Sequence, residues 1–405
     1  MSLSHLHSLN GVGQRPELEL ADILKRYLPE YRKSHGISFW QEKALYAIQV
    51  CRTSICGGHI EICDKCSYEH PVYNSCHNRH CPKCQGISRR RWVAARLGEL
   101  LPVPYYHVVF TLPHRLNNLA LYNKRLVYDL FYRAAAYTLV KFGNDAKYLG
   151  AQLGFMGVLH TWGKGLCYHI HWHFIIPGGG LTDEGQWVNL PYRDKYLFNT
   201  YAMSKVIRAR FIKLLRKAYN NGELVIPDAE TPLENPAMFE YFLNDIAGEC
   251  WVNYTKRPFG GPEQVVKYIG RYTHRVALSN NRLLSIDGGK IRMQVRDYKK
   301  GGVSVPIELT ATEFIRRFLM HILPKGFRKI RYGGFMAPAI RREKLKLALR
   351  ILQPERPDVP GKELLPELDD TAIGKCPKCQ RGNMRVIEID RRNLRYHWLA
   401  WVDSS

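Results

Sequence analysis

Tyr168-His169-Ile170-His171-Trp172-His173-Phe174-Ile175-Ile176 is the stretch on which the reading of the chain turns. Aromatic and aliphatic residues alternate there with histidines, at period two. In an extended strand, alternate side chains point to opposite faces. Tyr168, Ile170, Trp172 and Phe174 are therefore expected in a core, with His169, His171 and His173 on the other face. Successive Cβ atoms on that face lie roughly 7 Å apart at a rise of ~3.3 Å per residue. Two imidazoles at that spacing can converge on one metal ion. A half-exposed strand also carries polar residues on its wet side. Ser, Thr or Lys serve that purpose more often than three histidines in five residues. Pro177-Gly178-Gly179-Gly180 ends the strand.

Outward from this strand, the pattern predicts alternating strands and helices. Tyr105–Leu112 and Phe155–Trp162 are rich in β-branched and aromatic residues and read as strands. Gly163-Lys164-Gly165 is a turn between Phe155–Trp162 and the histidine strand. Residues 116–143 read as one or two helices and 195–220 as a basic amphipathic helix. After a loop at Pro227–Pro236, a helix runs to about Ile246, and Cys250–Tyr254 is a further strand. The order β-α-β-β-α-β, with an extra helix before the last strand, predicts an α+β fold. An antiparallel sheet would carry its helices on one side, in the split βαβ or ferredoxin-like plan. Its other face would be open to hold the histidines. Farther on, Leu283–Ile286 and Ile291–Val295 form a hairpin around Asp287-Gly288-Gly289. Lys299-Lys300-Gly301-Gly302 reads as a mobile basic loop, and 312–322 as a helix.

With 405 residues, 45% hydrophobic and 12% aromatic, the chain can bury a large core, and two or three domains are expected. Lys and Arg outnumber Asp and Glu by 60 to 36, a net charge of +24. So one-sided a balance points to a polyanionic partner, most often nucleic acid. No run of 18 or more apolar residues suggests a transmembrane helix or a membrane partner. The N-terminus lacks a signal-peptide pattern. A cytoplasmic protein is expected, and its 11 cysteines are better read as metal ligands than as disulfides.

Two short helices are expected within residues 17–50, split near Ser34-His35-Gly36. Seven cysteines follow: Cys51, Cys56, Cys63, Cys66, Cys76, Cys81 and Cys84. Cys63-x-x-Cys66 and Cys81-x-x-Cys84 are separated by 14 residues. Each pair can form a knuckle, and four thiolates complete a structural, tetrahedral Zn²⁺ site. His59, Cys76 and His80, with Cys51 and Cys56, are further candidates, for a second site or for hydrogen bonds to the first. Cys376-x-x-Cys379 in the tail has no second pair beside it. It reads equally well as half of a zinc site completed elsewhere, a vestige or a plain turn. Residues 1–101 are thus expected to form N-terminal helices and a zinc-binding domain, 102–350 a catalytic domain, and 351–405 a linker and tail.

Basic residues cluster at Arg89, Arg90 and Arg91, on a helix expected to run to about Leu101, and at Arg328, Lys329 and Arg331. Both groups suit contact with phosphates. Residues 262–276 read as a helix started by Pro262. Tyr268 and Tyr272 are neighbours on one face, about 5–6 Å apart, beside a basic row of Lys267, Arg271 and Arg275. A metal on two histidines near such a tyrosine suggests one reaction, attack of the phenolic oxygen on a DNA phosphodiester polarised by the metal.

These motifs together resemble a known family. His171-Trp172-His173 is similar to the His-hydrophobic-His signature of the HUH endonucleases, and Tyr268-x-x-x-Tyr272 to their two-tyrosine motif. Asn74-Ser75-Cys76-His77-Asn78-Arg79-His80-Cys81-Pro82-Lys83-Cys84 resembles the zinc-binding domain of rolling-circle insertion-sequence transposases. Lys256-Arg257-Pro258-Phe259-Gly260-Gly261-Pro262 and Leu323-Pro324-Lys325-Gly326-Phe327 resemble the same family. The likeness covers about residues 15–350. It implies nicking and rejoining of single-stranded DNA at the terminal ends of a mobile element. The intermediate would be a 5′-phosphotyrosine, formed with Mg²⁺ or Mn²⁺ and without ATP. The family pattern has proline at the position of His169, so that histidine is an addition, expected beside the metal rather than on it. The resemblance implies a third ligand from the neighbouring strand, and His160, before the turn, is placed to face His169 or His171 across the hairpin; it is expected in that role, with Gln264 or Glu263 as alternatives. A plasmid or phage replication initiator or a relaxase would use the same chemistry. A non-catalytic zinc-dependent regulator would explain the charge and the cysteines but neither the histidine strand nor the tyrosines. Homo-oligomerisation is left open.

Overall fold

In the computed structural model, the histidine strand is β5, Tyr168–Pro177. The structure describes residues 16–190, 197–249, 251, 253–256, 264, 270, 277–297, 301–354 and 374–390. Strand β5 lies between β3 (Tyr105–Thr111) and β4 (Gln152–Trp162), antiparallel to both. β8 (Asn253–Lys256) pairs with the far edge of β3. The four strands stand in the order β8-β3-β5-β4. The sheet grows past β4 through β6 (Gly179–Leu181) and β7 (Trp187–Asn189), and β12 (Ile330–Gly334) also pairs with β4. These seven strands are all antiparallel to their neighbours. The chain is thus a mixed helix and antiparallel-sheet protein.

Alternation along β5 decides what each face meets. Tyr168, Ile170, Trp172 and Phe174 are buried, and His169, His171 and His173 are intermediate. The apolar side chains join a core with α5 (Lys124–Asn144) and α6 (Thr200–Asn220). Phe174 meets Phe110 of β3 and Phe155 of β4 edge-on, and Tyr132 of α5 lies over Trp172. α5 and α6 are joined by Phe131 against Phe211, which also meets Trp251. Between β4 and β5 the expected turn appears, with Gly165 at φ +64°, a left-handed geometry that favours glycine. His321 ties this turn down, because its Nε2 donates to the Leu166 carbonyl at 3.0 Å.

A second core joins the N-terminal helices to residues 277–322. α1 (Leu20–Ser34) and α2 (Phe39–Val50) bury Leu24, Leu28, Leu45 and Ile48. They pack with β9 (Leu283–Asp287), β10 (Lys290–Asp297) and β11 (Val303–Thr310), and with α8 (Ala311–Met320). The buried Leu20 amide donates to Asn280 Oδ1 at 3.1 Å across this junction. The β9–β10 turn is the expected Gly288-Gly289, with both residues at positive φ, as a two-residue hairpin requires.

The small hairpin of β1 (Gly58–Cys63) and β2 (Glu69–Tyr73) acquires a third strand from the tail, β13 (Met384–Asp390), which pairs with β1. α3 (Gln85–Leu97) starts at Gln85, four residues earlier than Arg89 suggested. α4 is Asn117–Tyr122, α7 is Pro236–Gly248, and α9 is Arg341–Leu352. The expected loop at Pro227–Pro236 is instead a short 3₁₀ turn over Asp228–Glu234 before α7. The strand expected at Cys250–Tyr254 falls at Asn253–Lys256, and Cys250 and Val252 lie outside the described residues. Lys299 and Lys300, read as a mobile loop, lie outside them too. Among the described residues no helix is long and apolar enough to cross a membrane.

Because one slip in register would exchange the two faces of β5, the side chain of Phe174 tests the arrangement. Phe174→Ala is expected to cost about 3–5 kcal/mol in denaturant unfolding. A loss below about 1 kcal/mol would mean that another residue fills the centre of the sheet.

Candidate functional site

β4 and β5 are in register so that His160 lies opposite His171. Directly opposed residues share a face, so His160, His171 and His173 come together on one side of the sheet. Ring centroids are 5.3 Å apart for His160 and His171, 4.3 Å for His160 and His173, and 4.8 Å for His171 and His173. One ring nitrogen from each lies within 4.8 Å of the others. The expected third partner, His160, is therefore the residue that the structure brings to the pair. Gln264 is exposed, and Glu263 lies outside the described residues.

Neighbouring groups orient these rings. His171 Nδ1 lies 2.9 Å from the His169 carbonyl. A carbonyl only accepts, so Nδ1 carries the proton and the Nε2 lone pair is left for a ligand role. His173 Nδ1 lies 2.7 Å from Nε2 of His107, on β3. His169 turns aside, with Nδ1 3.1 Å from Nε2 of His114. Burial lowers the His171 pKa to about 3 and holds that of His173 well below its ordinary value. Both rings are neutral at neutral pH, the form that binds metal. Three imidazoles are a donor set that fits a divalent transition-metal ion.

The rest of this face is not open as expected. Past His173 it becomes apolar: Tyr105, Met156, Val158 and Ile175 pack under Phe335, Met336, Leu345 and Ala348. Lys329 flanks the cluster, its ammonium 4.8 Å from the centre of the Trp162 ring. Burial, then the charge of Arg79, pushes its pKa down to about 7.

The cysteines group otherwise than their spacing suggested. Cys81 and Cys84 join Cys51 and Cys76 in one buried four-sulfur cluster. Cys63 and Cys66 do not belong to it; they face Cys376 and Cys379. The 14-residue spacing brings the two knuckles near in sequence, but β1 carries Cys63 into the separate sheet with β13. Cys76, a tentative ligand, is thus in the first cluster, whereas His59 and His80 are in neither. His59 Nε2 pairs with Glu61 at 3.0 Å, and buried His80 accepts from the Leu323 amide through Nε2 at 3.4 Å. Buried Cys56 donates its thiol to the Val50 carbonyl at 3.1 Å.

Of the basic residues, Arg89 and Arg91 are exposed on α3, and Arg328 is exposed on its loop. Nothing is described of the Arg90 side chain. Arg331 is held inward. Its guanidinium pairs with Asp129 and lies over Tyr132, Trp172 and Phe327. Lys329 and Arg331 are thus packed against the rings around β5. Lys267, Tyr268, Arg271, Tyr272 and Arg275 lie outside the described residues. Gly270, between the tyrosines, is buried, and a Cβ there would fall 2.1 Å from Val93 Cγ2 of α3. A groove of about 640 Å³ lies between the start of α2, α4 with the start of α5, and the Ile322–Pro324 segment. Trp40 on its wall is 39% exposed beneath the Lys325 ammonium, 4.6 Å from the ring centre.

Sequence reasoning missed the pairing of Cys63 and Cys66 with the tail, and His107; Cys51, one of the left-over candidates, lies in the first cluster. His107 shares the periodicity of β3, two residues before Val109, which faces His173. That alternation was the available signal.

His321 should make the fold acid-sensitive. Burial pushes its pKa down to about 3, below the ordinary 6.5. Between these values the unfolded chain binds a proton that the folded chain does not. The contribution is complete above about pH 6.5 and is lost as pH falls toward 3. His321→Gln keeps a donor for the Leu166 carbonyl and removes the titration. It is expected to flatten the decline of unfolding free energy between about pH 6.5 and 4; an unchanged slope would assign the decline to other groups.

Comparison with known proteins adds to this geometry. A family model described as “Transposase zinc-binding domain”, of IS91 type, matches residues 23–112. A second, described as “Putative transposase”, matches residues 154–344. “Putative transposase y4qJ” of Sinorhizobium fredii is 41% identical over 380 residues, 92% of this chain and 95% of the relative. “Transposase for insertion sequence element IS801” of Pseudomonas savastanoi pv. phaseolicola is 30% identical over 294 residues, 71% of this chain and 68% of the relative. No solved structure matches the chain. With its zinc-binding cysteines and its similarity along nearly the whole length, the chain belongs to the IS91-type family of rolling-circle insertion-sequence transposases.

Proposed function

We propose that this transposase nicks and rejoins single-stranded DNA at the ends of its element through a 5′-phosphotyrosine intermediate, with Tyr268 and Tyr272 as the nucleophiles. The observation that carries this reading is the convergence of His160, His171 and His173 on one sheet face. The strand order β8-β3-β5-β4 supports it, being the order of a split βαβ, ferredoxin-like sheet of the HUH type. In this reading residues 102–350 carry the catalysis and 1–101 the zinc-binding unit.

The phenolic oxygen of one tyrosine attacks the scissile phosphorus. The bond from phosphorus to the 3′-oxygen breaks, and that oxygen takes up a proton to leave as a free 3′-hydroxyl. A tyrosine ordinarily ionises near pH 10, so the net charge of +24 and the nearby Lys267, Arg271 and Arg275 favour the phenolate. The covalent link conserves the phosphodiester energy for rejoining. Two nucleophiles let one strand stay attached while a second is cut. A divalent ion held by the histidines would polarise the scissile phosphate and stabilise charge developing on it. Nitrogen donors suit Mn²⁺ better than Mg²⁺, which prefers an oxygen shell. His107 would hold the His173 ring in place, and the Trp40 groove, with Lys325 above it, offers a stacking surface for a single strand.

Tyr→Phe removes the nucleophilic oxygen and keeps the ring. With a single-stranded oligonucleotide carrying an element end, the wild-type protein is expected to form a denaturant-resistant protein–DNA adduct. The double Tyr268→Phe, Tyr272→Phe variant should form none while still binding the DNA. Each single variant should retain some first cleavage but fail at complete strand transfer. An adduct from the double variant would place the nucleophile elsewhere.

A further inference from the structure

Cys376 and Cys379 lie far beyond residue 112, where the zinc-binding family match ends. Their partners are near the other end of the chain. Cys63 Sγ is 3.7 Å from Cys379 Sγ, and Cys66 Sγ is 3.7 Å from Cys376 Sγ, across 316 and 310 positions of sequence. A disulfide needs ~2.05 Å between sulfurs. Four thiolates ~2.3 Å from one zinc ion stand roughly 3.8 Å apart at the corners of a tetrahedron. The distances are those of the tetrahedron, and all four sulfurs lie within 4.8 Å of one another.

The backbone around them is built alike on both sides. In each knuckle the amide of the second cysteine donates to the sulfur of the first, Cys66 to Cys63 and Cys379 to Cys376, both at 3.5 Å. Lys65 and Gly382 amides donate to Cys63 and Cys379 at 3.4 Å. Such donors favour thiolate over thiol. The residue after each second cysteine has a left-handed backbone, Ser67 at φ +53° and Gln380 at φ +56°. That repeated, unfavourable geometry at equivalent places indicates two matched halves of one site. Moreover, Cys376-Pro377-Lys378-Cys379-Gln380 repeats residue for residue Cys81-Pro82-Lys83-Cys84-Gln85 of the first cluster. Gly382 allows the halves to close, since a Cβ there would fall 2.4 Å from Cys63 Sγ. Asp64 and Asn383 then join the halves in both directions. The Asn383 amide donates to Asp64 Oδ1 at 2.8 Å, and the Asp64 amide to the Asn383 carbonyl at 3.1 Å.

We propose that Cys63, Cys66, Cys376 and Cys379 bind a second structural zinc ion that clasps the C-terminal segment to the N-terminal β1–β2 hairpin. The site is independent of the strand-transfer chemistry. The metal completes a three-stranded unit of β13, β1 and β2 from the two ends of the chain. Its sulfurs have no carboxylate or imidazole among them, so the ion would have a closed shell and a holding role.

The test is zinc counting by native mass spectrometry on the full chain, expressed with zinc supplied and with His171→Ala/His173→Ala in every sample, the one called wild type here included, so that the histidine cluster takes up no zinc. The wild-type monomer is expected to carry two zinc ions. Cys376→Ser/Cys379→Ser and Cys63→Ser/Cys66→Ser should each carry one, and all four replacements together still one. In the tail double variant, protease should release the C-terminal segment at least ten times faster than in the wild type. One zinc in the wild-type chain, or two in the tail variant, would overturn the proposal. So would a mass lower by four hydrogens, which marks two disulfides, or zinc held only in a dimer. Because the tail variant leaves all residues of the first cluster in place, its retained zinc ion reports that the chain is folded.

Discussion

The hydrogen-bonded register of β4 against β5 is the constraint on which the rest depends. With His160 opposite His171, a two-residue period places three imidazoles on one face and an aromatic core on the other. A shift by one residue would bury histidines beside Phe110 and Phe155 and expose Trp172. The register is fixed from both sides. Trp172 and Phe174 are locked among rings from β3, β4 and α5, and the short turn at 163–167 is held by His321. The convergence of the three imidazoles is thus a product of packing on the opposite face. The imidazoles are poised before any ion arrives, because burial keeps His171 and His173 neutral.

Around this sheet the chain is closed by long-range contacts. Arg79, in the zinc-binding segment, donates to the carbonyls of Pro324 and Phe327, both at 2.6 Å. Those residues precede β12, which pairs with β4. The cysteine cluster of Cys51, Cys76, Cys81 and Cys84 therefore sits on the same framework that sets the histidine face. Loss of metal from this cluster would reach the sheet through Arg79 and the buried His80. Zinc in such a place belongs to the folding energy of the transposase.

How much of this was legible in the sequence depended on the range of each interaction. β5 and its two faces were legible because alternation is local. His160 was legible because a tight turn fixes which residues face each other across the hairpin. The zinc partners were not: every Cys-x-x-Cys looks alike, and sequence nearness favoured Cys81 and Cys84 over a tail more than 300 positions away. Pairing of β1 with β13 decided otherwise. Arg331 stands in a basic run, and composition counts charges without showing their partners. Asp129, 202 positions earlier, takes its guanidinium. Likewise the apolar cover beyond His173 comes from Phe335, Met336 and α9, and nothing local to β5 announces it. The tyrosine pair rests on its motif, with Gly270 alone between them in the described structure.

The central claim is that His160, His171 and His173 hold one divalent ion together. Mn²⁺ bound to the full-length protein, with the zinc sites filled, would report this directly in its pulsed electron paramagnetic resonance spectrum. The account predicts nitrogen couplings from three imidazoles, with one of them lost in His160→Ala. A manganese spectrum without nitrogen couplings, or one unchanged by His160→Ala, would contradict it.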